Sequence, residues 1–406
     1  MAEKLVPNLR FAGFNDEWVS QKFKDNLDIK SGKGFKASEY SKIGIPLLKI
    51  DNVSYGKVSW ETKDYLPQDY LDKYPDLVLK ANDIVLALNR PITNNKLKIA
   101  KLTKEDEISI LYQRVGKIFV NEDLINKEFI FQLLNKEIFR FVLKNSVGSD
   151  QPFISTNQLK ELEFNVPQFE EQEKIGKFLF FINAKIELLE KEYHAYKDFK
   201  KYLMQQIFTQ KLRFDFSDEW KIVKLESLIK KGKAGGTPSS TNSEYYNGDI
   251  PFLSIRDMTE QGKYIVKTEK SITEEGLNNS SAWIIPKNSL LYSIYASIGL
   301  VAINRSDIST SQAIYGIILK DGVSLEYMYY YLTYFKKNVH KYIETGTQGN
   351  LNAKLLKSFE ILLPSLEEQE MIVNVLSLVD EKIENSKKEI EKINEFKKGF
   401  LQQMFI

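Results

Sequence analysis

The 406-residue chain contains no cysteine and only two histidines. Without cysteine there is no disulfide, no thiolate nucleophile and no cysteine-ligated zinc. His194 and His340 have no second histidine near them in sequence, so a histidine metal cluster or a catalytic dyad is not expected. Both read as structural or surface residues. Long apolar runs are missing as well. No stretch approaches ~18 apolar residues without a charge, and Met1 to Phe14 lacks the apolar core of a signal peptide. A cytoplasmic protein with no membrane contact is the default expectation.

A strong net charge is absent too, the formal total being +2. Its distribution is less even. Gln168 to Phe208 holds seven acidic and seven basic residues, and Ser365 to Ile406 nine acidic and six basic, which leaves +5 on the rest of the chain. That modest basic bias suits a polyanion without establishing one. Nucleotide hydrolysis is disfavoured, because neither Ser31-Gly32-Lys33-Gly34 nor the Lys231 to Pro238 stretch has the Gly-Lys-Ser/Thr spacing of a phosphate loop. No Asn-Pro-Pro-Tyr/Phe or Asp-Pro-Pro-Tyr sequence of an amino-methyltransferase occurs either. With 55 acidic residues, accidental carboxylate pairs are many and none stands out as an acid and base. A non-catalytic chain is expected.

What is present is a duplication. At an offset of 197, Pro167, Glu170, Glu171, Gln172, Glu173 and Ile175 align with Pro364, Glu367, Glu368, Gln369, Glu370 and Ile372. The same offset aligns Phe199, Lys200, Lys201, Gln205, Gln206 and Phe208 with Phe396, Lys397, Lys398, Gln402, Gln403 and Phe405, without a gap. The front ends repeat more loosely. Leu9-Arg10-Phe11 and Trp18 correspond to Leu212-Arg213-Phe214 and Trp220, and Ile45-Pro46-Leu47-Leu48 resembles Ile250-Pro251-Phe252-Leu253. The offset drifts between these points, so insertions and deletions separate the two front halves.

Glu170 to Phe208 has no proline and one glycine, Gly176, and predicts a helix of ~40 residues, ~60 Å long. Its apolar stripe is Ile175, Leu179, Ile182, Ile186, Leu189, Tyr193 and Tyr196, then Leu203 and Ile207 beyond Lys200. The second copy runs Ile372, Leu376, Val379, Ile383, Ser386, Ile390 and Ile393, then Phe400 and Met404 beyond Lys397. Spacings of three and four make a heptad seam, and a seam on a solvated helix needs a partner. Antiparallel pairing of the two helices is the leading arrangement; parallel pairing or pairing with another chain stays open. In the front halves, Gly44 to Asn52, Asp83 to Leu88, Ala282 to Ile285 and Ser289 to Ile303 predict strands and turns. Asn126 to Val142 and Leu325 to Tyr342 predict helices. The fold class is therefore α+β.

Amides and cations cluster around these strands. The candidate DNA-contacting residues are Lys33, Lys36, Asn89, Arg90, Asn94, Asn95 and Lys98 in the first half. In the second half they are Lys233, Thr237, Arg256, Tyr295, Arg305, Gln312, Gln348 and Asn350. Such groups hold phosphates through cations and read base edges through Arg, Asn or Gln. For each one alone, a solvated surface position is the competing reading.

The chain resembles the specificity subunits of type I DNA restriction-modification enzymes over nearly its whole length. The resemblance rests on the layout, on Gly235-Gly236-Thr237-Pro238-Ser239 followed by Tyr245-Tyr246-Asn247-Gly248-Asp249-Ile250-Pro251, on Leu363-Pro364 to Gln369, and on Lys201-Tyr202-Leu203-Met204-Gln205-Gln206-Ile207-Phe208. It implies target-recognition domains at 1–160 and 211–357, helical spacer repeats at 161–210 and 358–406, and an antiparallel coiled coil. It further implies recognition of a split double-stranded DNA sequence and recruitment of two modification (methyltransferase) subunits and the restriction subunits. S-adenosylmethionine, ATP and Mg2+ would be used by those partners, with no cofactor site in this chain. The first half has Ser31-Gly32-Lys33-Gly34-Phe35 where the second has Gly-Gly-Thr-Pro, a departure that fits the variability expected of recognition domains. A stand-alone DNA-binding regulator is the alternative.

Overall fold

In the computed structural model, residues 5–145, 152–342 and 351–406 are described. The chain divides into two compact units, Met1–Leu189 with Glu389–Ile406, and Glu190–Lys388. Each unit takes its head, the beginning of one long helix and the end of the other.

In the first unit, strands β1 (Leu27–Ser31), β2 (Ile84–Ala87), β3 (Ile99–Lys101) and β4 (Val115–Val120) form an antiparallel sheet in the order β1-β4-β2-β3. A second four-stranded sheet contains Ile45–Leu48. Helix α1 (Lys127–Asn145) covers the core and leads through Glu163–Val166 to the long helix α2 (Phe169–Phe208).

The second unit repeats the plan. Strands β5 (Ile229–Ala234), β6 (Tyr264–Ile265), β7 (Leu290–Ser293), β8 (Val301–Asn304) and β9 (Ile314–Leu319) order as β5-β9-β7-β8-β6. Helix α3 (Leu325–Phe335) precedes the long helix α4 (Leu366–Met404). Ala282–Ile285, expected as a strand, makes only the single bridge Ile285 to Ile308; Pro286, which has no N–H, ends the pairing. The helix expected to Tyr342 is α-helical to Phe335 and 3-10 beyond.

The repeated sequence motif joins head to helix. Glu171 and Glu368 have no solvent exposure. Arg10 grips Glu171 with two N–H donors at 2.8 Å each. Arg213 grips Glu368 at 3.2 and 2.9 Å, and Trp220 Nε1 adds a third donor at 2.9 Å. These hydrogen bonds, with the carboxylate charge, raise the pKa of both guanidinium groups further. Gln172 Oε1 accepts from the N–H of Asn126, whose own side chain accepts from Phe129 N–H in the first turn of α1. Gln369 Oε1 does the same for Ser324, which caps α3. The Glu-Gln motif thus fixes each long helix to the cap of the shorter helix in its own unit.

The long helices run antiparallel where they meet. In the first unit Phe178 packs on Phe400 with ring centroids 4.8 Å apart, and Lys185 reaches Glu389 at 3.5 Å. In the second, the seam-breaking Lys200 pairs with Asp380 at 2.6 Å. The position equivalent to Asp380 in the first helix is Asn183, and Lys397 is half-buried with its pKa lowered by burial. Seam residues Ile175, Leu179, Ile186, Leu189, Ile372, Leu376 and Val379 are buried, whereas Ile182, Ile383, Ile390 and Ile393 are half-buried. The helix ends plug the heads: Phe405 packs on Trp18 and Phe129 in the first unit, and Phe208 on Tyr327 and Tyr331 in the second.

Candidate nucleic-acid interface

Antiparallel pairing decides which loops share an end of a sheet. In the first unit β1 ends where β4 begins, with Ser31 opposite Gly116, and β2 ends beside it, with Ala87 opposite Val115. Lys33, Lys36, Asn89, Arg90, Asn94, Asn95 and Lys98 therefore leave from one sheet end. Asn94 and Asn95 have φ of 52° and 56° and form the two-residue turn between Ile92–Thr93 and Lys96–Leu97, the left-handed pair that a tight hairpin demands and asparagine tolerates. Tyr55 steadies this turn, its hydroxyl meeting the Thr93 carbonyl at 3.0 Å and Asn94 Nδ2 at 3.3 Å. Lys33 donates to the Tyr74 hydroxyl at 2.9 Å and lies over its ring. Lys98 is less available: Nζ donates to the Ile50 carbonyl at 2.8 Å, and burial lowers its pKa.

In the second unit the equivalent end gathers Lys233, Thr237, Tyr295 and Gln312, because β5 ends opposite the start of β9 and β7 ends beside it. Thr237 donates to Gln312 Oε1. Arg305 is not brought there. It follows β8, which runs antiparallel to β7, and so leaves from the opposite end. Its guanidinium stacks 3.9 Å from the Tyr264 ring centroid and donates to Asn288 Oδ1 at 3.0 Å. Arg256 is exposed but held by Glu260 at 2.7 Å, which raises its pKa, and by Glu269 at 3.5 Å. Gln348 and Asn350 lie outside the described residues.

The same backbone contact recurs at both ends. Gly32 N–H donates to Val115 O at 3.0 Å, and Gly235 N–H to Ile314 O at 2.9 Å. A Cβ on Gly32 would stand 2.3 Å from Leu111 O, and one on Gly235 2.2 Å from Thr310 O, so both positions require glycine. Gly32-Lys33-Gly34-Phe35 thus takes the place of Gly235-Gly236-Thr237-Pro238, despite the difference in letters. This equivalence exposes two residues absent from the sequence-based candidates, Gln113 and Arg114, both solvent-exposed. Their signal was a glutamine two residues ahead of an aliphatic strand in each half.

Unfavourable backbone gathers at these ends. Arg90 and Arg114 have φ of 46° and 67°, and Ala296 and Ser297 of 45° and 49°. Residues with a Cβ populate this region sparingly, and loops that hold them there are over-determined by their surroundings, as binding loops often are. Among the described residues no group of three or more His, Cys, Asp or Glu could hold a metal ion, and no helix is long and apolar enough to cross a membrane. His194 and His340 are both exposed.

Comparison with known proteins decides what such a duplicated, loop-ended sheet belongs to. The type I restriction modification DNA specificity domain matches residues 15–197 and again 217–395. The chain belongs to this family. Among specificity-family relatives, the type I restriction enzyme MjaVIII specificity subunit of Methanocaldococcus jannaschii is 46% identical over 199 residues, covering 49% of this chain and 47% of the relative. The MjaIX specificity subunit of the same organism is 36% identical over 46% of this chain and 44% of its own length. The chain thus spans about half the length of these two. The putative MjaX specificity subunit is 27% identical over 95% of this chain and 92% of the relative. In fold, the chain resembles the crystal structure of a type I restriction-modification S subunit from M. genitalium, with a TM-score of 0.62 over 99% of both chains at 15% identity. None of these matches favours a stand-alone regulator.

Proposed function

We propose that this chain is the DNA-specificity subunit of a type I restriction-modification complex, each unit binding one half of a split double-stranded target. The observation that carries this is the recurrence, in both units, of one sheet end bearing amides and cations around an obligatory glycine. One such end is a binding loop cluster; two in one chain are two reading heads. Two heads on one chain gain effective concentration when their connection matches the separation of the half-sites. The residues positioned to contact DNA are Lys33, Asn89, Arg90, Asn94 and Asn95 in the first unit and Lys233, Thr237, Tyr295 and Gln312 in the second. Arg305 and Arg256 serve their own units first, through Tyr264 and through Glu260.

The chain itself is non-catalytic in this reading and acts in the cytoplasm. Two modification subunits would bring S-adenosylmethionine and methylate adenine, and restriction subunits would bring ATP and Mg2+ for cleavage. Affinity purification from the native host, followed by selection on a random-sequence duplex library, tests the proposal. An adenine methyltransferase should copurify, and one split sequence should be enriched. Enrichment of a split sequence by the chain alone, with no methyltransferase bound, would instead identify a regulator.

A further inference from the structure

We propose that Gln113 and Gln312 are matched base-reading residues, one in each unit, each presenting its amide to an adenine edge in the half-site bound by that unit. This rests on the DNA-recognition reading above and adds the residue and the base to it. The two glutamines occupy the same place. Gly32 and Gly235 press against Leu111 and Thr310 in the same way, and each glutamine lies two residues beyond that contact and two before an interior strand of its sheet, β4 in the first unit and β9 in the second. Both are exposed at the sheet end.

Each amide is steadied by a neighbouring hydroxyl, but from a different source. Gln113 Nε2 donates to the Tyr112 hydroxyl at 3.2 Å. Gln312 Oε1 accepts from Thr237. The first unit cannot copy the second, because residue 34 is glycine there and a Cβ at that position would stand 2.7 Å from Gln113 Oε1. The heads have diverged around this point, yet both keep a glutamine there and both restrain it. Restraint lowers the entropic cost of binding through a long side chain. After these hydrogen bonds, Gln113 retains one N–H and its carbonyl oxygen, and Gln312 retains two N–H groups and one oxygen lone pair. Either set supplies the donor for N7 and the acceptor for the N6 amino group that adenine displays in the major groove. Cations at the same ends, Lys33 and Arg114 in the first unit and Lys233 in the second, suit phosphate and fix register.

The test uses the full chain coexpressed with its modification subunits in a methylation-free host, with genomic methylation mapped for wild type, Gln113→Ala, Gln312→Ala and Gln113→Glu. Both glutamines are exposed, so the variants should assemble as wild type does, which copurification checks. Gln113→Ala should lower adenine preference about tenfold at one position of one half-site and leave the other half-site unchanged. Gln312→Ala should do the same in the other half-site only. Gln113→Glu, which can only accept, should move the preference at that position toward cytosine, whose N4 donates. A wild-type split motif that neither alanine variant changes, or a uniform loss across all sequences, would overturn the assignment alone. A wild-type complex with no split motif would overturn the recognition reading and the assignment with it.

Discussion

Glu171 and Glu368 are carboxylates with no solvent exposure, and the two-pronged arginine opposite each makes burial tolerable. Removing one partner of a buried pair leaves the other charge uncompensated, which costs about 3–5 kcal/mol. Arg10→Ala should therefore lower unfolding stability by about 3 kcal/mol in urea titration, whereas Arg10→Met with Glu171→Leu should cost much less. A buried lysine gives the opposite case. Lys263, packed among aromatic rings and donating to the Tyr330 hydroxyl at 2.9 Å, has its pKa lowered by burial to about 8 from 10.5. Between those values the unfolded chain binds more protons at this site than the folded one, so stability rises with pH. Thermal unfolding should show that rise from about pH 8 toward 10, before the raised tyrosines Tyr327 and Tyr330 reverse it, and Lys263→Met should reduce it, leaving the share of Lys101, whose pKa burial also lowers to about 8. No change of slope in the variant would contradict the burial argument.

The two long helices were the most legible elements, since an offset without gaps preserves both periodicity and caps. Spacing did not reveal what each seam residue faces. Leu179 lies in the first unit's core with Phe129 and Met404, while Ile182, one step farther along the seam, is half-buried. Leu179→Ala should cost about 3 kcal/mol and Ile182→Ala less than half as much, measured by denaturant midpoints; equal losses would mean the seam is uniformly packed. The recognition loops were legible as loops and not as neighbours. An arginine just after a strand gives no hint of which sheet end it leaves from, and antiparallel β7 and β8 send Tyr295 and Arg305 to opposite ends. The match of Gln113 to Gln312 was hidden because the offset falls from 203 at Gly32 and Gly235 to 199 at the glutamines within one sheet.

At the scale of the whole chain, the duplication extends to exposed apolar side chains. Phe181 and Phe396 in the first unit are 59% and 56% exposed, and their counterparts Leu378 and Phe199 in the second are 63% and 50% exposed. The register set by Phe178 and Phe400 puts Phe181 and Phe396 at one level of the helix pair. In the complex proposed above, a repeated apolar pair would suit two copies of one partner, the modification subunit, at one per unit. Phe181→Asp with Phe396→Asp should reduce the number of bound modification subunits from two to one, and adding Phe199→Asp and Leu378→Asp should abolish binding, as read by native mass spectrometry. Unchanged stoichiometry would place the docking surface elsewhere. The central claim, that one chain carries two reading heads, is tested most directly by mapping adenine methylation across the genome of strains with and without it. A split sequence, methylated only when the chain is present, is expected; methylation that is indifferent to the chain, or confined to one uninterrupted site, would contradict it.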